Sequence, residues 1–476
     1  MTSIRINTII SPKCSFWLPL ARNVKPLIIF ILATALWDCS EFVEVDPPKN
    51  TLVSETVFSN PATVESALTN IYLEMRDQSM ASGRNGLSIL MGLYADELDY
   101  FLSNTDYTEF HGNVLTPTNG IVTSWWGQAY NTIYAANDII EGMDAPNGLT
   151  DEERDRFKGQ ALFVRAYMHS LLVGLFGDIP YIATTDYVAN GSASRMHTVS
   201  VYGLIIEDLE LAIDLMDSES PTEGRVVPSS DTAKALLARM ALYAEDWELA
   251  ESTASGLIAD YVLEPDITKV FLKECPETLW QFRPNGISDM NTYEGTAFII
   301  NAIPGQAYAL SDALLAAFEL GDLRLEHWVG SHTSNDGLTT LFYPHKYKKT
   351  FSDEESTEHS IVFRLAEQYL IRAEARARLG DIPGASNDLN AIRQRAGLEN
   401  TLADNQSALL LAILRERRLE LFTEHGQRWY DLKRMGLAND VLAPVKPNWQ
   451  PTDLLLPLPE DELENNQNLR PQNPGY

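Results

Sequence analysis

Cysteine is scarce: Cys14, Cys39 and Cys275 are the only three in 476 residues. No two stand at CxxC spacing, so neither a disulfide framework nor a thiolate metal site organises the chain. Basic side chains are also few, with 36 Lys and Arg against 66 Asp and Glu and a formal charge of −30. Binding to phosphate backbones needs clustered Lys and Arg, so nucleic acid is excluded as a partner class. Charge alone will not hold such a chain on anionic lipid either. No apolar run reaches the ~20 residues that a membrane-spanning helix requires. Catalytic signatures are missing too: there is no GxGxxG, P-loop, HExxH, GxSxG or EF-hand loop. The eight histidines are scattered, with none paired at i, i+4, so no zinc site and no cofactor is implied.

The first forty residues have the pattern of an export signal. Leu27–Trp37 is a largely apolar run preceded by Arg5, Lys13, Arg22 and Lys25, and the first acidic residue is Asp38. That run has the length of a signal-peptide core. Residues 1–38 therefore read as a signal peptide and Cys39 as the lipidated residue that follows it. Leu36 stands three positions before Cys39, where lipoprotein signals place Leu, although Trp37 and Asp38 replace the usual small residues. The stretch before Lys25 is long for such a signal, so translation is expected to start near Val24. With Cys14 removed and Cys39 acylated, Cys275 stands alone. Residues 39–53, with Pro47-Pro48, read as a tether, and residues 54–476 as one helical domain whose parts divide near residue 270.

The body is dominated by helical period. Ser54 and Ser59-Asn60-Pro61 look like helix caps, the second opening a helix near Ala62–Met75. Ala366, Tyr369, Leu370, Ala373 and Ala377 form one apolar stripe in Leu365–Leu379, with Glu367, Arg372, Glu374, Arg376 and Arg378 mostly off it. Gly380-Asp381 ends that helix and Ala385–Gln394 begins the next. Hairpins of the same kind are expected at Ala235–Ile258 with a turn near Asp246, at Val122–Gly142 with Phe157–Phe176, and from Val201–Met216 into the helix near Ala235. The fold class is thus mainly α, a scaffold of degenerate tetratricopeptide-like hairpins. Tyr100–Thr118, Tyr181–Thr198, Cys275–Leu310 and Gly330–His359 read as long irregular loops, rich in Asn, Ser, Gly, Thr and aromatics. Asp96-Glu97-Leu98-Asp99 reads as solvated charge at a helix end. Arg417 and Glu420, three apart, read as structural ion partners.

Several stretches together resemble the SusD/RagB family of outer-membrane nutrient-uptake lipoproteins. They are the start at Cys39, Trp126-Gly-Gln-Ala-Tyr130, and Arg364 to Ala375 with Asp388 to Gly397. Further on come Glu416 to Leu421, Gly426 to Arg434, Leu456-Pro-Leu-Pro459 and the terminal Gln472-Asn-Pro-Gly-Tyr476. The resemblance implies a surface-exposed lipoprotein anchored through Cys39 that does no chemistry. It implies a SusC-like TonB-dependent transporter as partner and an oligo- or polysaccharide as ligand. It further implies a site built from an early loop and the central loops.

Trp126, Tyr130, Tyr369, Trp429 and Tyr430 lie at helical spacing and are expected in the core. A sugar offers C–H faces to flat aromatic rings and hydroxyls to Asn, Asp and Arg. The candidate ligand residues are therefore Tyr100, Tyr107, Tyr293 and Trp328, with Arg283 and Asn104. Phe101, Phe110, Tyr343, Tyr347, Asp106, Asn285 and Asp289 are further loop candidates. Two alternatives stand beside this reading: a peptide-binding member of the same family, and a tetratricopeptide-type scaffold that binds only proteins. A surface glycosidase would need two placed carboxylates, which no motif marks.

Overall fold

The computed structural model describes residues 58–146, 148–216 and 222–476. The signal segment, Cys39, the tether and the Ser54 cap lie outside the described residues. Helix α1 (Pro61–Asp77) starts where its sequence says it should. Asn60 Oδ1 accepts from the Ala62 amide at 2.9 Å and Pro61 sits in the first turn. Next come α2 (Leu87–Tyr94), β1 (Leu98–Tyr100), α3 (Thr105–Gly112) and α4 (Gly120–Asp144).

Helix α4 packs on α5 (Asp151–Phe176), which in turn packs on α6 (Thr198–Met216). Thr150 and Glu153 form a reciprocal capping box that starts α5. Two further pairs follow: α7 (Ser230–Tyr243) with α8 (Trp247–Asp260), and α10 (Leu365–Leu379) with α11 (Ile382–Arg395). Asp246 caps α8, at the expected turn. The tetratricopeptide-like hairpins are present, and the chain is mainly helical.

The α10 stripe packs as its spacing predicts: Ala366, Leu370, Ala373 and Ala377 meet Ala385, Leu389 and Ile392 of α11. The opposite side of α10 is covered as well. Ile371 and Ala375 lie against Ala238, Ala241, Ala250 and Ala254 of α7 and α8. Glu367 and Glu374 are therefore buried rather than solvated. Glu367 pairs with Arg239 at 2.7 Å and Glu374 with Arg434 at 2.7 Å. A helix with neighbours on two sides must match its polar residues as well as its apolar ones.

Three two-stranded sheets tie the loops to this scaffold. β1 pairs with β3 (Tyr308–Leu310), β2 (Thr278–Phe282) with β6 (Ser360–Arg364), and β4 (Val329–Thr333) with β5 (Thr340–Pro344), all antiparallel. The segments expected as irregular thus hold local order: α3, the β4–β5 hairpin, β2, and a short helix, α9 (Tyr293–Phe298). For α3 and α9 the caps are explicit, with Asn104 accepting from the Tyr107 amide and Thr292 Oγ1 accepting from Gly295 N at 3.0 Å. Of the expected core aromatics, Trp126, Trp429 and Tyr430 are buried, while Tyr130 and Tyr369 are half-buried against the core.

Two charged clusters depart from expectation. Asp96 and Glu97 follow the end of α2 but are buried: Asp96 accepts from Arg418 and Arg428 at 2.7 Å each. Arg417 does not meet Glu420; it pairs with Asp431 at 2.7 Å. Glu420 instead faces Arg324, Arg364 and Arg395. Helix α12 (Gln406–Glu420) is enclosed at this end, so its charges find partners on other elements rather than along its own surface.

Candidate ligand-binding cleft

The β1–β3 pairing brings two sequence-distant loops together. Its register sets Tyr100 opposite Tyr308, and Phe101 N donates to Ala307 O at 3.0 Å just beyond the pair. Directly opposed residues of an antiparallel pair share one face, so the two rings become neighbours. Their centroids lie 5.8 Å apart. Tyr107 joins them from the first turn of α3, stacked on Tyr100 at 5.7 Å with 16° between the planes, and 6.4 Å from Tyr308. The Tyr107 hydroxyl lies 2.8 Å from Asn85 Oδ1, and Trp125 Nε1 donates to Asn85 O at 2.7 Å. These two contacts fix the loop that carries Arg84.

Tyr293 begins α9, and the next residue anchors it. Glu294 is buried and its Oε1 accepts from Ser360 Oγ at 2.7 Å and Ser82 Oγ at 3.3 Å. A Cβ on Gly295 would stand 2.0 Å from Lys349 O, so α9 lies hard against the 348–351 loop and only glycine fits there. Phe351 from that loop packs on Tyr293 at 5.5 Å.

Together these residues line a cleft of about 870 Å³. Besides Arg84, its lining comes from two stretches: Tyr100–Asn104 with Tyr107, and Tyr293, Thr296, Ala297, Ile299–Ala302 and Gly305–Tyr308. Phe101 and Leu102 are exposed at its rim. A smaller cleft of about 210 Å³ adjoins it, sharing Arg84 and Tyr293 and holding Asn285, Asp289 and Phe351. Burial raises the phenol pKa values of Tyr100, Tyr107, Tyr293 and Tyr308 above their ordinary range. Their hydroxyls are neutral hydrogen-bond donors and acceptors at any physiological pH.

The structure brings together Tyr100, Tyr107, Tyr293 and Asn104 from the expected set, and Phe101 from the wider one. Asn104 also caps α3, which commits its side-chain oxygen to the backbone. Arg283 is exposed beside the smaller cleft, between Phe282 and Pro284 of its lining, and its carbonyl accepts from Arg76 at 2.7 Å. Trp328 is a correction. It is 1% exposed, packs on Phe271 at 5.3 Å, and its indole N–H donates to Ile267 O at 2.9 Å. It is a core residue with no face left for a ligand. Phe110, Tyr343 and Tyr347 are likewise buried.

Sequence reasoning missed Arg84, Gln306 and Tyr308. The stretch Ala307-Tyr308-Ala309-Leu310 is too short and too uniformly apolar for a strand period to mark Tyr308. Arg84 lies in a Gly-rich turn, Ser82-Gly-Arg-Asn-Gly86, with no local mark of a site.

Two family models match the chain: one described as "Starch-binding associating with outer membrane" over residues 41–242, and one described as "SusD family" over residues 319–476. SusD-like protein P2 of Formosa agariphila is 30% identical, over 96% of this chain and all of that protein. The chain belongs to the SusD family. The starch-binding protein SusD of Bacteroides thetaiotaomicron is 24% identical over 70% of this chain and 75% of its own. Solved SusD-like structures share the fold. A SusD superfamily protein from Bacteroides vulgatus superimposes with a TM-score of 0.76 at 20% identity, over 88% of this chain and 100% of that one. A laminarin-binding SusD-like protein gives 0.76 at 22% identity, over 88% and 100%. The cleft wall bearing Tyr293 and Tyr308 falls between the two matched regions, so the SusD models themselves do not cover half of this site.

Proposed function

We propose that this SusD-family protein is a non-enzymatic surface lipoprotein that captures a glycan in the Tyr100–Tyr308 cleft and delivers it to a SusC-like TonB-dependent transporter. The observation that carries this reading is the group of tyrosines at one open cleft. Rings of Tyr100, Tyr107 and Tyr308 stand within 6.4 Å of one another, and Tyr293 lines the same cleft. Such rings match the C–H faces of sugars while their hydroxyls match the edges. The volume, about 870 Å³, lies in the ordinary range of ligand pockets, roughly 300–1,000 Å³. A solved neighbour is named for laminarin binding and a curated relative for starch binding, which supports a glycan over a peptide. Acylation of Cys39 would supply the anchor; no helix of the described residues is long and apolar enough to cross a membrane.

The test is a retention assay against polysaccharides, with peptides in parallel. One glycan class is expected to be retained, and Tyr100→Ala or Tyr293→Ala should each weaken retention about tenfold. Retention of peptides alone, or unchanged glycan affinity in both variants, would refute the assignment of this cleft.

A further inference from the structure

The acidic character of the chain stops at the cleft. The sequence holds 66 Asp and Glu against 36 Lys and Arg, yet among the described residues no carboxylate lines the larger cleft, and the one charged group there is the Arg84 guanidinium. Arg84 is exposed and shares the cleft with the phenols of Tyr107, Tyr293 and Tyr308, and the Tyr107 hydroxyl lies 3.1 Å from the Arg84 carbonyl. Among the described residues it forms no ion pair with a carboxylate. The acids of the adjoining cleft are committed elsewhere: Asp77 pairs with Arg76, and Asp289 accepts from Asn285 Nδ2 at 2.7 Å. The backbone around Arg84 is held in place. Gly83 takes a φ of +80° that only glycine adopts freely, and Asn85 is fixed by Trp125 and Tyr107. Arg84 lines both clefts and so stands where they meet.

A guanidinium presents a planar fork of N–H donors that fits two oxygens of a carboxylate or sulfate. A neutral hydroxyl can accept from one arm of that fork, but a carboxylate or sulfate takes both and adds charge, about doubling the strength of each bond. We propose that this cleft selects an anionic glycan, one whose sugars carry carboxylate or sulfate groups, with Arg84 as the specificity-determining contact between its two parts. The inference rests on the glycan-receptor reading above and adds the substrate class. In this arrangement sugar rings lie against Tyr100, Tyr107 and Tyr293 while the anionic substituent meets Arg84.

The experiment is affinity electrophoresis of the full chain in detergent, in gels containing polygalacturonate, dextran sulfate, dextran or laminarin. One of the two acidic polymers should retard the protein at a concentration about tenfold lower than either neutral glucan, and Arg84→Gln should remove that advantage. Polygalacturonate against dextran sulfate separates a carboxylate from a sulfate requirement. The chain's own charge of −30 opposes bulk attraction to either polyanion, so retardation reports a local contact. Circular dichroism of the variant checks that it is folded. Retardation by dextran or laminarin at concentrations equal to or below those of both acidic polymers overturns the anionic proposal and leaves the receptor reading intact. Unchanged retardation of Arg84→Gln by the acidic polymer also overturns it. Retardation by none of the four overturns the receptor reading itself.

Discussion

Glu97 shows how position redefines a residue. Its carboxyl is buried, with Oε2 accepting from Thr423 N at 3.2 Å and Oε1 without a partner among the described residues. Burial, then the neighbouring Asp96, raise its pKa to about 7, against the pull of Arg428 and Lys346. A folded-state value above the unfolded one means the native state holds the proton more tightly. The stability Glu97 contributes is therefore full below its unfolded value and is lost as pH rises through about 7. Glu97→Gln mimics the protonated form. The variant should match the parent near pH 4 and exceed it at pH 8 by an amount on the order of 3 kcal/mol. Urea unfolding at the two pH values measures this; an equal difference at both would refute it. Trp328 and Tyr293 make the complementary contrast. Trp328→Ala should cost about 3–5 kcal/mol of stability and leave glycan affinity of the folded fraction unchanged. Tyr293→Ala should do the reverse.

At the scale of elements, one close approach joins α5 to the C-terminal part of the chain. Gly174, near the end of α5, faces α13 (Gln427–Arg434) so closely that an added Cβ would lie 2.5 Å from Tyr430 Cε1. Lys433 of α13 donates to Gly174 O at 2.7 Å. Burial lowers the Lys433 pKa to about 7. Gly174→Ala should destabilise by about 1–3 kcal/mol through overpacking, despite alanine's better helix propensity, read as a lower melting temperature. The helices themselves were legible in the sequence. The α10 stripe, the Asn60-Pro61 start and the turn at Asp246 are local features, set by side-chain period and capping chemistry. The α3 helix was hidden although Asn104 caps it, because Asn, Ser and Thr also mark irregular loops. β1 and β3, three residues each, are too short to carry a period.

Across the whole molecule, a buried ionic network links elements far apart in sequence. Arg364 on β6 meets Glu420 Oε1 at 2.5 Å, Glu424 at 2.8 Å and Glu277 at 3.3 Å, and Arg395 bridges Glu277 and Glu420. Burial alone would raise the Glu420 pKa, but Arg395, Arg364 and Arg324 hold it well below the ordinary carboxylate range. Removing Arg364 leaves Glu277, Glu420 and Glu424 buried with one counter-ion fewer each. Arg364→Leu should therefore cost about 3–5 kcal/mol, seen as a lower denaturation midpoint with little change in slope. By itself the sequence determined the helical class, the hairpin pairs and the SusD resemblance, because period, capping and motif order are local or one-dimensional. It also singled out Tyr100, Tyr107 and Tyr293, which the structure brings to one cleft. The tertiary structure alone decided which loop aromatics share a cleft and which are core. That choice depends on the β1–β3 register joining residues about 200 apart and on the enclosure of Trp328 by Phe271 and Ile267. It alone decided that the charges of α12 face inward and that Arg84 shares a cleft with phenols. Burial and counter-ion partnership are properties of neighbours in space, and no local pattern encodes them.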